Sequence, residues 1–124
     1  MSDGYVRLRR FFEDISGTVA MDSTTGDTVA KAGRPLDTIY VQRIVASIVS
    51  AGVAGSVWRI TDTDGSILLS DLPADEAKEI ERDLGATGRA CKEGEGLVIT
   101  ADPPGATGLI SWDGYRKRTG VGAA

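Results

Sequence analysis

The stretch Thr38-Ile-Tyr-Val-Gln-Arg-Ile-Val-Ala-Ser-Ile-Val49 decides the fold class of this chain. Its apolar residues fall on both faces, so their spacing alone does not separate a strand from a buried helix. Seven of the twelve residues are β-branched. Such side chains lose freedom in a helix but pack well on a pleated sheet. The stretch therefore predicts a long central β-strand.

The segment that follows predicts a β-hairpin. A strand over 56–62 places Trp58 and Ile60 on one face, and a further strand is expected over 66–69. Between them, Asp64-Gly65 supplies the turn, because glycine tolerates the positive φ that tight hairpin turns need.

Short apolar strands recur downstream, separated by Gly, Pro and Asp. Strands are predicted over 97–100, 109–112 and 115–118, and the Asp102-Pro-Pro-Gly105 turn separates the first two. The 16 glycines among 124 residues are typical of many tight turns. The pattern predicts an all-β chain, a small antiparallel β-sandwich of jelly-roll-like form.

Two regions leave alternatives open. Residues 74–84 are rich in helix formers and favour a short helix, yet Ile80, Arg82 and Leu84 alternate as in a strand. Residues 1–35 form either an N-terminal arm or additional strands, and residues 36–124 form the sandwich body of what we expect to be a single domain.

Composition disfavours several classes of function. The net charge of −4 disfavours a nucleic-acid partner, since phosphates attract basic surfaces. The apolar run over 44–54 is too short for a membrane span, and the N-terminus lacks the layout of a secretion signal. The chain has no histidine and one cysteine, Cys91, so a Ser-His or Cys-His nucleophile pair is impossible within it. We therefore expect a protein that is not an enzyme and has no cofactor.

Two motifs have competing interpretations. Asp62-Thr-Asp64-Gly65 is similar to the start of a calcium loop but lacks its later ligands, and a hairpin turn explains the same residues. The two tryptophans either fill the core or form a carbohydrate-stacking surface, and the first is favoured. The predicted core anchors are Tyr40, Ile44, Trp58, Ile60, Ile110 and Trp112.

Basic and aromatic residues near both termini predict a partner interface. Arginine and phenylalanine are enriched where proteins meet, although edge-strand arginines also discourage aggregation. The predicted interface residues are Arg7, Arg9, Arg10, Phe11 and Phe12 near one terminus and Arg116, Lys117 and Arg118 near the other.

Several of these stretches occur together, in order, in a known group of proteins. Thr38-Ile-Tyr-Val-Gln-Arg-Ile44, the Asp64-Gly65 hairpin, Glu95-Gly-Leu97 and Trp112-Asp-Gly-Tyr115 resemble the small β-sandwich virion proteins of tailed bacteriophages. This resemblance covers residues 38–118.

The resemblance implies a capsid decoration protein that binds the major capsid protein and stabilises the assembled head. It further implies a homo-oligomer, with a trimer as the expected form, located on the virion surface after synthesis in the host cytoplasm. Residues 79–84 are implied to form a strand. The alternative function is a tail- or fibre-associated module that binds host glycans.

Overall fold

The computed structural model describes residues 12–120, and this part of the chain is all-β. Within it no residue is helical, so no helix long enough to cross a membrane is found there. The strands are β1 (Phe12–Met21), β2 (Asp27–Lys31), β3 (Asp37–Ser50), β4 (Val57–Asp62), β5 (Ile67–Pro73), β6 (Glu79–Asp83), β7 (Arg89–Ala90), β8 (Leu97–Asp102) and β9 (Thr107–Arg118).

The strands pair in a nested, antiparallel way. β1 pairs with β9, β2 with β8, β3 with β6, and β4 with β5, so the chain runs like one long hairpin rolled into two sheets. One sheet has the order β1-β9-β3-β6 with the short β7 also on β3, and the other has the order β2-β8-β4-β5. This is the arrangement of a jelly roll, and it confirms the predicted antiparallel β-sandwich.

The core lies between the two sheets. Ile44, Ile110 and Trp112 enter it from the five-stranded sheet, and Trp58 and Ile60 enter it from the four-stranded sheet, all at most 4% exposed. Burying large aliphatic and aromatic side chains is the main favourable term in folding. With both tryptophans in this layer, neither indole is available as a sugar-stacking surface.

Tyr40, predicted as a core anchor, lies instead on the outer face of the five-stranded sheet. The register of β3 on β9 shifts between Val41 and Arg43, so the extra residue Gln42 forms a β-bulge. A bulge reverses which face the later residues occupy. Ile44 therefore points inward although it is four residues after the outward-facing Tyr40.

The two strands predicted over 109–112 and 115–118 are one continuous strand, β9. Gly114 makes this possible, because a Cβ at this position would lie 1.9 Å from the Tyr40 carbonyl oxygen. The close approach of β3 and β9 leaves room for no side chain there.

The short helix considered near 74–84 is wrong, and the strand implied for 79–84 is found as β6. Ile80 pairs with Ala46 of β3 and is buried. The segment has too few apolar residues at helical spacing to cover a core, and strand pairing with β3 satisfies its backbone while burying Ile80.

The described part of region 1–35 supplies β1 to one sheet and β2 to the other. Residues 1–11, which include the predicted interface residues Arg7, Arg9, Arg10 and Phe11, lie outside the described residues.

Candidate functional surfaces

An aromatic and cationic cluster lies at one end of the outer face of the five-stranded sheet. The Tyr40 and Tyr115 rings stack with their centroids 4.8 Å apart, and Phe12 lies 6.2 Å from Tyr115. The Lys117 ammonium is 5.1 Å from the Tyr40 ring centroid, a cation–π arrangement. The Tyr115 hydroxyl donates to the Thr87 carbonyl oxygen at 2.9 Å. Phe12 and Lys117, both predicted interface residues, are thus brought together on one surface.

The other two C-terminal interface residues differ from Lys117. Arg118 is half-exposed, and its Nε lies 3.6 Å from an Asp37 carboxylate oxygen. Arg116 faces the interior and is only 2% exposed, so its guanidinium offers no surface to a partner. Strand alternation produces this difference, since neighbouring residues of β9 point to opposite faces.

The centre of the same face has a polar hollow of about 270 Å³. Its lining includes the hydroxyl groups of Ser16, Thr18 and Ser111, together with Asp113 and Arg43. Arg43 donates from Nε to Glu81 Oε1 at 2.9 Å, whereas the Asp113 carboxylate has no hydrogen-bonded partner among the described residues. Arg43 and Asp113, which line the hollow, form the next outward-facing cross-strand pair after Tyr40 and Tyr115.

The outer face of the four-stranded sheet is different in character. Val29, Val98, Thr61 and Ile67 form one cross-strand row over β2, β8, β4 and β5, which we call the β-branched row. Its two ends are well exposed, Val29 at 60% and Ile67 at 62%. A hollow of about 460 Å³ adjoins the row and is rimmed by the Asp62–Gly65 turn. Val98, between the ends, is only 9% exposed, so the exposed apolar surface of the row consists of its two ends. Exposed apolar side chains beside a concavity are typical of protein docking surfaces.

A third surface is the acidic edge, which we define as Glu79, Glu81 and Asp83 of β6. All three side chains are exposed, and they alternate with Ile80 and Arg82, so they lie on one face. Within residues 12–120, β6 pairs only with β3, which leaves its other side as a sheet edge.

The Asp62–Gly65 sequence, similar to the start of a calcium loop, forms a hairpin turn. Asp62 is 2% exposed, and its Oδ1 accepts from the backbone N–H groups of Asp64 at 3.0 Å and Ser66 at 2.9 Å. Its Oδ2 accepts from the Lys92 backbone N–H at 2.9 Å. Burial acts to raise the pKa of Asp62, but the three N–H donors outweigh it and hold the pKa below its usual value. Both carboxylate oxygens are therefore engaged by the fold itself.

The Lys92 side chain also contacts this turn, from the solvent side. Its ammonium contacts the Asp64 carboxylate, and this hydrogen bond raises the pKa of Lys92. Within residues 12–120, no group of three or more Cys, Asp or Glu side chains is placed so as to hold a metal ion. The turn is therefore explained as a structural tie between the β4–β5 hairpin and the segment before β8.

Cys91 is buried beside this turn. Burial raises the pKa of its thiol to about 12, and the negative charges of Asp62 and Glu95 act in the same direction. A thiol in this environment stays protonated near neutral pH, and protonated thiols are poor nucleophiles.

Sequence reasoning missed the β-branched row and the acidic edge. The alternation of Glu79, Glu81 and Asp83 was readable from the sequence, but its position at a sheet edge depends on tertiary pairing. The row joins four strands distant in sequence, so no local pattern predicts it.

No family profile matches this chain, and no curated protein is similar to it by sequence. Among solved structures, that of a family two carbohydrate esterase from Cellvibrio japonicus is similar over 87% of this chain, with 13% identity and a TM-score of 0.33. The match spans only 35% of that chain's length. A likeness at this level carries no inference about activity.

Proposed function

We propose that this chain is a non-enzymatic structural protein of a tailed-bacteriophage virion, which decorates the assembled head by binding the major capsid protein. The resemblance of residues 38–118 motivates the identity of the partner. The observation that supports a protein-binding role most directly is the exposure of both ends of the β-branched row, Val29 and Ile67, beside the adjoining hollow.

The row provides what a lattice-binding surface needs. Val29 and Ile67 keep more than half of their surface in water, so covering them with an apolar surface of the capsid is favourable by about 25 cal/mol for each Å² buried. The hollow beside the row would accept a protruding apolar side chain. Binding at many equivalent lattice positions stabilises a shell even when each contact is weak, provided that each protein spans two neighbouring subunits.

Co-sedimentation with undecorated capsid shells tests the proposal. The wild-type chain should pellet with the shells, and Val29→Glu or Ile67→Glu should abolish this by placing a charge in the row. Leu109→Glu is the matched control, because Leu109 is 47% exposed but lies on the outer face of the other sheet. If the wild type stays in the supernatant, the decoration role is wrong; if Leu109→Glu alone prevents pelleting, the binding face is wrong.

A second candidate is a glycan-binding module of the tail or fibre. The polar hollow beside the Tyr40–Tyr115 stack favours it, since hydroxyl groups, an unpartnered carboxylate and neighbouring aromatic rings can recognise a sugar. On a glycan array, Tyr115→Ala and Asp113→Ala should each remove the signal, while Ile67→Glu should not. An array without any wild-type signal would exclude this candidate.

A further inference from the structure

The acidic edge presents backbone groups as well as carboxylates, and one of these groups, the Glu81 carbonyl, accepts a hydrogen bond from Arg82 Nη1 at 3.2 Å. The Leu84 N–H donates to the Gln42 carbonyl, and the Ile48 N–H donates to the Lys78 carbonyl, so the even-numbered residues of this segment direct their backbone groups toward β3. In an antiparallel pair these directions alternate along the strand. The N–H and C=O groups of Glu79, Glu81 and Asp83 therefore point outward, where one more strand could pair.

Residues 5–11, Tyr-Val-Arg-Leu-Arg-Arg-Phe, have the complementary pattern, and we call them the basic arm. In an extended chain Arg7 and Arg9 lie on one face, and Val6 and Leu8 lie on the other. This matches β6, whose carboxylates occupy the outer face while Ile80 points into the core. Opposite charges on neighbouring strands stabilise pairing, and like charges oppose it.

We propose that the basic arm of one copy adds as a strand to the acidic edge of a second copy. Main-chain hydrogen bonds to residues 79–83 supply affinity, as in other cases of strand addition. Arg7 and Arg9 pair with the carboxylates of Glu79 and Glu81, the second of which is shared with Arg43 of β3. Val6 and Leu8 extend the apolar inner face beside Ile80.

The geometry of the sheet requires the two partners to belong to different copies. β1 and β6 are the opposite edges of one sheet, three strand spacings or about 14 Å apart. Glu81 lies in the cross-strand row of Thr18, six residues along β1 from Phe12, which adds about 20 Å along the strands. Arg9 is three residues from Phe12, so its backbone lies within about 11 Å of it and cannot pair with Glu81 of its own chain.

The arm and the edge are different patches, so the contact is head-to-tail. Such contacts close into rings when the rotation between copies permits. A closed ring of this kind is compatible with the expected trimer, and the inference stands independently of the capsid partner because it concerns the chain alone.

Sedimentation equilibrium of the purified full chain at low salt tests the proposal. We expect a closed oligomer for the wild type, and at least about tenfold weaker association for Arg7→Glu/Arg9→Glu. Arg10→Glu is the matched control with a charge change at an adjacent arm position on the opposite face, and it should associate much more strongly than either Arg7→Glu or Arg9→Glu alone. Higher salt should weaken wild-type association.

Charge exchange completes the test. Combining Arg7→Glu/Arg9→Glu with Glu79→Arg/Glu81→Arg should restore the oligomer, whereas adding Glu76→Arg, outside β6, should not. Circular dichroism verifies that each variant keeps the β fold. A monomeric wild type, unchanged association of the doubly reversed arm, or failure of the folded charge-exchanged chain to associate would each overturn the proposal.

Discussion

Two buried charges lie near the same end of the sandwich and differ in how well the protein satisfies them. Asp62 receives three backbone N–H donors on its two oxygens. Arg116 donates from Nη2 to the Ala32 carbonyl at 2.5 Å, while its Nε and Nη1 have no hydrogen-bond acceptor in the described structure. Its nearest carboxylate, on Glu13, is 3.7 Å from Nη1 and also contacts Arg34.

Asp62 and Arg116 therefore differ in what their burial contributes to the free energy of unfolding. A buried charge with complete hydrogen bonding holds elements together, and a buried charge with partial hydrogen bonding retains part of its desolvation cost. Asp62 therefore joins the β4–β5 turn to the Cys91–Lys92 segment, whereas the charge of Arg116 contributes little net stability.

The largest effect is expected for Asp62→Asn. The amide replaces one acceptor oxygen by an NH₂ group facing backbone N–H donors, so we expect a loss of about 3 kcal/mol in the free energy of unfolding. Urea unfolding measures it. Asp64→Asn, at an exposed carboxylate in the same turn, is the control and should cost less than about 1 kcal/mol. Equal losses of unfolding free energy in the two variants would contradict the proposed role of the buried Asp62 carboxylate in joining the turn to the Cys91–Lys92 segment.

The stability gap between the wild type and Asp62→Asn should depend on pH. The pKa of Asp62 is below its usual value in the folded state, so its contribution is present above the unfolded-state pKa of about 3.9. That contribution is lost as the pH falls through the folded-state pKa. Unfolding curves from pH 7 to pH 2 should therefore converge at the acidic end. Asp22, whose pKa is also lowered, is common to both chains and does not alter their difference. A difference in the free energy of unfolding that stays constant from pH 7 to pH 2 would show that the Asp62 carboxylate is not its source.

A smaller change is expected for Arg116→Met. Methionine keeps the apolar stem in place and removes two unsatisfied nitrogens, and Glu13, half-exposed, keeps Arg34 as a partner. We expect a stability within about 1 kcal/mol of the wild type. Arg116→Ala serves for comparison and should cost more, because it also leaves a void where the stem packs. A loss for Arg116→Met as large as that for Asp62→Asn would show that the guanidinium is a tie as well.

The sequence predicted local features of the fold with most success. The β-branched composition of 38–49 identified β3, and Asp64-Gly65 identified the hairpin turn, since both depend on neighbouring residues alone. The function of Asp62 within that turn was not visible, because its third donor, the Lys92 N–H, lies thirty residues away.

Long-range geometry accounts for what was missed. The prediction that Tyr40 lies in the core is wrong because of the bulge at Gln42. This bulge arises from pairing with β9 and cannot be recognised from the local alternation of apolar and polar residues. Arg116 was assigned to a surface because a run of basic residues suggests exposure, while strand alternation directs one of them inward. The β-branched row and the acidic edge exist only once the strand order is known.

Alkylation of Cys91 reports on the opening of the same end of the sandwich. With the pKa of its thiol raised to about 12, almost none is ionised at pH 8. Alkylation should therefore be at least about a hundredfold slower than in the urea-unfolded chain. The Cys91 N–H donates to the Ile39 carbonyl, and Ile39 pairs with Arg116. Cys91 also precedes Lys92, whose N–H donates to Asp62, so its backbone is connected to the surroundings of both buried charges. Asp62→Asn should speed its modification, followed by mass spectrometry, because loss of the tie to Lys92 frees the adjoining segment to open. Arg116→Met should leave the rate near that of the wild type, and equal acceleration by both variants would mean that the two charges hold this end of the sandwich alike.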